Sequence, residues 1–486
     1  MKIGFDNDKY LKMQSEHIIE RIEQFGGKLY LEFGGKLLDD KHASRVLPGF
    51  EEDSKLQMLL KLKDHAEMIM VVSAEDIINN KIRQDLGIGY DEDVIRLIRE
   101  YREKGLYISS AVITKYTPGH TMEVFQKKLE DNNVRVYRHY LIPGYPTDVE
   151  TVVSEDGYGK NDYIETTRPL IVVTAPGPGP GKMSTCLSQL YNEHKRGIDA
   201  GYAKFETFPI WNLPLNHPVN LAYEAATADL NDINMIDPYH LKTYGVTTVN
   251  YNRDIEIFPV LNQIFRGIYG ESPYASPTDM GVNMAGNCIV DDEVCQEAGR
   301  NEIIRRFFQA AVGLSDGTKS PDELNKIKIL MNQEGLTPDD RRVVAEARKL
   351  EKETGNVATC LELDDGTIIY GHTGDTLGPS AVCIINAIKH LAGIPDDQKI
   401  ISSAALKPIK LLKTKYLGSR NPRLHPDEML VALATTSARN ADAARALEQL
   451  NKLKGCKIHT TARLSAPDIR TINRLGCDLT YEPKEA

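Results

Sequence analysis

The sequence predicts a multi-domain α/β chain: an N-terminal, mostly parallel sheet flanked by helices, a helical middle region, and a smaller C-terminal α/β domain. Three observations predict it. Short β-branched apolar runs alternate with segments of helical periodicity along the N-terminal part, as in βαβ units. A charged and polar stretch, 316–356, then breaks the alternation. Beyond it a second alternation of strand-like and helix-like segments starts, and 486 residues suffice for two or three cores. The expected regions are 1–315, a helical connector 316–356, and 357–486.

In order, Leu11, Ile18, Ile22 and Phe25 share one face of a helix over 8–25, stopped by Gly26-Gly27. Lys28 to Phe33 reads as a strand ended by Gly34-Gly35. Helix 54–65 carries Leu56, Leu59, Leu60 and Leu62, and Met68 to Val72 is a buried strand. Helix 91–104 (Val94, Ile98, Tyr101) precedes strand Leu106 to Ile113, and helix 120–130 precedes strand Val134 to Tyr140. A turn-rich passage ending in Arg168 leads to strand Leu170 to Val173. Lys182 opens a helix with Cys186, Leu187, Leu190 and Tyr191 at helical spacing, and 202–208 is a further strand. Residues 219–312 are mostly helical, and Ser320-Pro321 and Thr337-Pro338 mark helix starts in the connector. The C-terminal domain begins with a hairpin, Ala358 to Leu363 and Thr367 to Tyr370, across Asp364-Asp365-Gly366. Helix 379–392, strand 429–434, helix 440–453, strand 457–462, helix 466–475 and strand 477–481 follow.

Composition excludes several classes. The chain is 41% hydrophobic and 26% charged, ordinary for a soluble globular protein. A net charge of −10 argues against a general nucleic-acid binder, which needs clustered Lys and Arg. No stretch approaches the roughly 20 apolar residues that span a bilayer, and the N-terminus lacks a signal-peptide core. The seven cysteines are scattered without CxxC spacing, which argues against a disulfide framework or zinc knuckle. The expectation is a cytoplasmic protein with no nucleic-acid or membrane partner, with a homo-oligomer left open.

The sharpest functional signal is 169–186, PLIVVTAPGPGPGKMSTC. Strand, glycine loop and lysine at a helix start form the layout of a phosphate cradle, because a helix N-terminus offers free N–H groups and partial positive charge. It is not a standard P-loop. Anchored on Gly181-Lys182, GxxxxGK[ST] puts its first glycine on Pro176 and its hydroxyl on Met183. Ser184 and Thr185 come one and two places late, and Pro176, Pro178 and Pro180 have no N–H to offer. Gly177, Gly179 and Gly181 would shape the anion nest and Lys182 would neutralise phosphate charge. Ser184 or Thr185 would supply a hydroxyl, and Glu206 or Asp229 the carboxylate for magnesium. Weighed against this is a stiff strand–helix turn with a solvated lysine.

Secondary candidates are Thr278 and Asp279 in SPTD, which is also an ordinary helix cap, and Thr373 and Asp375 in the glycine cluster 371–378. Arg439 lies between a predicted strand and helix, placed to clamp an anion. The histidines show no metal-ligand spacing, and no metal site is expected. Cys186 reads as core.

The segment TAPGPGPGKMSTCLSQLYNEHKRGIDAGYAKFETFPIWNLPLNHPVNLAYEAATADLNDINMIDPYH, with NKIRQDLGI, YIETTRPL and SPTDMGVN, resembles the UPF0371 family, also called the domain-of-unknown-function-1846 family. The likeness runs along essentially the whole chain. It implies a bacterial protein with a large N-terminal region and a smaller C-terminal α/β domain, and brings no established catalytic residues. An ATP-dependent peptidase label sometimes attached to that family has no chemical support here: HExxH does not occur, and the GxSxG string Gly313 to Gly317 follows the predicted helix 293–312 and not a strand, as a nucleophile elbow requires.

The leading expectation is an enzyme that binds ATP-like nucleotide with Mg²⁺, or another phosphorylated metabolite, at 177–185, with ligase, kinase or NTPase chemistry if phosphate is transferred. One alternative is an enzyme acting on a phosphorylated small molecule without ATP. The other is a ligand-sensing or assembly protein without turnover.

Overall fold

The structure is a computed structural model that describes residues 2–34, 37–38, 40–83 and 87–484. Gly35, the expected strand stop, and Gln84 to Leu86 of NKIRQDLGI lie outside the described residues. The chain divides into two compact units, Lys2–Gly299 and Arg300–Ala486.

The first unit is built on seven strands: β1 (Leu29–Phe33), β2 (Ala66–Ser73), β3 (Ile108–Thr114), β4 (Arg135–Arg138), β5 (Leu170–Thr174), β6 (Gly201–Phe205) and β7 (Gly281–Val282). They pair in the order β7-β6-β1-β5-β2-β3-β4, every pair parallel. β2, β3 and β5 are buried at every residue, which is why Met68 to Val72 of β2 and Leu170 to Val173 of β5 read as continuous apolar runs and not as alternating ones. Helices α1 (Asn7–Gln24), α2 (Tyr90–Glu103), α3 (His120–Asp131), α4 (Lys182–Lys195) and α5 (Asn252–Tyr269) belong to the same unit. One face of the sheet packs Tyr30, Ile171 and Val173 against Cys186, Leu187 and Leu190 of α4 and Phe258, Leu261 and Phe265 of α5.

The connections diverge at a defined place. From β5 the chain passes through α4 to β6, beyond β1. From the neighbouring β2 it passes through α2 to β3, on the opposite side. Ligands of open parallel sheets sit outside the carboxyl ends of strands where connections diverge in this way. The glycine loop leaves β5 at that point.

The second unit carries a four-stranded sheet of β8 (Ala358–Glu362), β9 (Ile368–His372), β10 (Lys457–Thr460) and β11 (Asp478–Tyr481), ordered β9-β8-β10-β11. The helix Pro379–Leu391 packs Ala381, Ile384 and Ile388 into its core with Leu361 and Ile458. Helices Pro321–Gln333 and Arg342–Thr354, over the expected connector 316–356, belong to the second unit, where Val343 and Ala347 of the second helix pack with Cys360 of β8. The strand expected at 429–434 is instead part of a helix, Pro426–Ser437. Pro426, Met429, Ala432, Leu433 and Thr436 are its buried residues, a 3.6-residue spacing that an unbroken apolar run conceals. Its start is marked by His425 and Glu428, which form a capping box. Helix 440–453 is two pieces, Ala441–Leu447 and a short turn Leu450–Leu453. Helix Ser403–Leu411 lies where the sequence pattern predicts no element. Among the described residues no helix is long and apolar enough to cross a membrane.

Candidate phosphate-binding loop

Gly181 is the N-cap of α4 and Gly179 precedes it; both are left-handed, with φ of +92° and +86°. That region penalises any residue with a Cβ, which accounts for the alternate glycines. Gly177 answers a different need: a Cβ there would stand 2.6 Å from the Tyr90 hydroxyl oxygen at the start of α2. The loop is tied to β3 by Thr114, whose hydroxyl donates to the Pro180 carbonyl at 2.6 Å. The proline-stiffened loop is thus held from two neighbouring elements.

No side chain caps α4. Its first-turn amides at Lys182, Met183 and Ser184 take no acceptor among the described residues, and they point the helix dipole outward. Lys182 is half-buried and makes no hydrogen bond or ion pair among the described residues. Other lysines near this edge are paired: Lys115 with Glu75 at 2.6 Å, Lys128 with Asp91 at 2.9 Å. Ser184 is half-buried, whereas Thr185 is fully buried and its hydroxyl has no partner. The Ser73 hydroxyl at the end of β2, next to β5, is also buried without a partner. Cys186 is fully buried, and burial pushes its thiol well above the usual range, which makes it a packing residue.

The expected carboxylates are arranged otherwise. Glu206 follows β6, and one of its oxygens lies 2.9 Å from Lys204 Nζ. Lys204 also holds Asp254 of α5 at 2.5 Å. Burial raises the Glu206 carboxyl above its ordinary value, with Lys204 opposing and Asp254 adding to the rise. Asp229 is exposed on a short turn, Ala228–Leu230, and no contact among the described residues links it to the loop. A carboxylate that sequence reasoning missed is Glu32 on β1. It is in register with Val173 and Lys204, on the face covered by α4, and accepts from the Tyr202 hydroxyl at 2.7 Å. Only register placed it there, so no motif pointed to it.

Thr278 and Asp279 form a separate polar cluster. Thr278 donates its amide and hydroxyl to Asp237 at 3.2 and 2.7 Å, and Asp279 accepts from Tyr244 and from the Ala275 amide. These bonds brace the helix Pro277–Met280 beside β7. An open cleft of about 680 Å³ between Tyr244, Arg266 and Glu271 includes none of the loop residues. Thr373, Asp375 and Arg439 belong to the second unit. Thr373 bonds the Val357 carbonyl, Asp375 is exposed, and Arg439 is exposed between two helices and not between a strand and a helix. Among the described residues no group of three His, Cys, Asp or Glu side chains is placed to hold a metal.

Comparison with known proteins agrees with the resemblance. The model described as domain of unknown function DUF1846, N-terminal, matches residues 3–335, and that of the C-terminal domain matches 339–485. The chain belongs to this family. A UPF0371 protein of Streptococcus thermophilus is 54% identical over 482 residues, 99% of this chain and 98% of the relative. One from Corynebacterium urealyticum is 53% identical over 483 residues, 99% and 97% of the two chains. The DUF1846 domains thus span both units.

Proposed function

We propose that the chain binds a phosphorylated small molecule, a nucleotide or another phosphorylated metabolite, at the loop Gly177–Ser184. The observation that carries this reading is an uncapped helix N-terminus with an unpaired lysine at the divergence point of an all-parallel sheet. Lys182 and the first-turn amides supply the charge-assisted bonds a phosphate needs. The pairing of one Glu206 oxygen with Lys204, and the lack of any contact between Asp229 and the loop among the described residues, favour a phosphorylated substrate taken without ATP and Mg²⁺ over an NTP-dependent reaction. The seven free, buried cysteines are compatible with a reducing compartment, and a cytoplasmic location is part of the proposal. The test is a thermal-shift panel of sugar phosphates, nucleoside phosphates and pyrophosphate, each with and without Mg²⁺. Stabilisation by phosphorylated compounds, lost in Lys182→Ala, supports the site; stabilisation that survives Lys182→Ala removes it. Product formation with the stabilising compound separates an enzyme from a sensor.

A further inference from the structure

The second unit carries a segment whose charge opposes that of the chain. Between Asp397 and Asp427 there are seven Lys and Arg and no Asp or Glu, in a protein of net charge −10. The segment folds as the helix Ser403–Leu411 followed by a wider turn, Leu412–Tyr416, closed by an i→i+5 bond from the Leu417 amide to the Leu412 carbonyl at 2.9 Å. Such turns cost regular helix geometry and recur at functional sites.

This turn exposes large apolar side chains together. Leu411 is 49% exposed, Leu412 52%, Tyr416 67% and Leu417 73%. The cations around them divide into two sets. Lys413 is buried and bonded to Glu428 and the Arg423 carbonyl, and Arg423 donates to the Gly374 carbonyl, so these two hold the turn in place. Lys407, Lys410, Lys415 and Arg420 make no ion pair among the described residues. Lys407, Lys415 and Arg420 are exposed and Lys410 is half-buried.

We propose that the turn 411–417, with Lys407, Lys410, Lys415 and Arg420, docks peripherally on an anionic lipid surface. Exposed apolar side chains beside unpaired lysines match an interfacial contact, in which the leucines and tyrosine enter the headgroup boundary and the cations meet lipid phosphates. Charge excludes a symmetric contact of this patch with itself, since it would set cation against cation. Area argues against a stable protein dimer: four side chains offer a few hundred Å², against roughly 800 Å² per partner in a standard interface. The chain's overall negative charge does not oppose the contact at ordinary ionic strength, because charges beyond about 8–10 Å are screened. The inference is independent of the glycine loop and departs from the expectation of no membrane partner.

The experiment is co-sedimentation of the full chain with vesicles of phosphatidylcholine alone and of phosphatidylcholine with about one-third phosphatidylglycerol. The chain is expected to sediment with the anionic vesicles only, and to be released as salt rises from about 0.1 to 0.5 M. Changing Lys407, Lys410 and Lys415 to Gln lowers partitioning roughly fivefold per residue. The double change Leu412→Ser, Leu417→Ser removes binding, with native melting as the folding control. If a variant melts early, the lipid and salt dependence of the native chain decides. No sedimentation with anionic vesicles, or binding unchanged in well-folded variants, overturns the proposal. Self-association that these variants abolish, without lipid binding, overturns it in favour of an acidic face on a second copy.

Discussion

Protonating His139 should destabilise the first unit in mild acid. His139 follows β4 and is 3% exposed. Its Nε2 lies 3.2 Å from the Asp162 carbonyl, a bond the neutral ring makes as donor, and Nδ1 has no partner. Burial lowers its pKa from 6.5 to about 4, opposed by that bond. The unfolded chain therefore binds a proton near pH 6.5 that the folded chain refuses until about pH 4. The sign follows: this contribution to stability is complete above about 6.5 and is lost as pH falls towards 4. At about 1.4 kcal/mol per pH unit, moving from pH 7.5 to 5 should cost about 2 kcal/mol through this residue. The assay is urea unfolding followed by Trp211, the single tryptophan, which reports on the first unit. Native protein should lose about 2 kcal/mol more than His139→Gln over that interval. Equal losses would refute the reasoning, as would an imidazole titrating near 6.5 in the folded protein.

Further outcomes follow from other contacts. Asp478→Ala should cost about 3–5 kcal/mol in the second unit, because it leaves the fully buried Arg341 guanidinium without its carboxylate, 3.0 Å away. Arg445→Ala, whose pair with Asp442 is exposed, should cost less than about 1 kcal/mol; thermal melting of both variants checks the contrast. All seven cysteines are free and buried, so a thiol reagent should label fewer than one equivalent quickly in native protein and seven in denaturant. Gly181→Ala should lower stability by about 1–2 kcal/mol, read by Trp211 fluorescence, since φ of +92° there disfavours a Cβ.

The parallel sheet was legible because strands buried on both faces carry uninterrupted apolar runs, as Met68 to Val72 and Leu170 to Val173 do. The same property misled at 429–434, where an apolar run lies in a helix with exposed Val431 and Ala434 between its buried positions. Strand order was not legible, since it depends on pairings such as β5 inserting between β1 and β2. The loop itself was visible, because glycines at left-handed positions and a lysine opening a helix are local facts. Its surroundings were not. Tyr90, Thr114 and Glu32 come from three distant segments, and Glu206 could not be seen to pair with Lys204 while Asp254 approaches from α5. Arg439 shows the related limit: its role as a clamp rested on a strand that is absent.

The central claim is that Lys182 and the open first turn of α4 hold a phosphate. Calorimetric titration of the compounds that raise the melting temperature, on native protein and on Lys182→Ala, tests it most directly. Loss of one charge-assisted bond, about 1.5–3 kcal/mol, predicts affinity weaker by roughly 10- to 150-fold in the variant with the fold intact. Equal affinity in the two proteins, or no phosphorylated compound bound by either, would contradict the account.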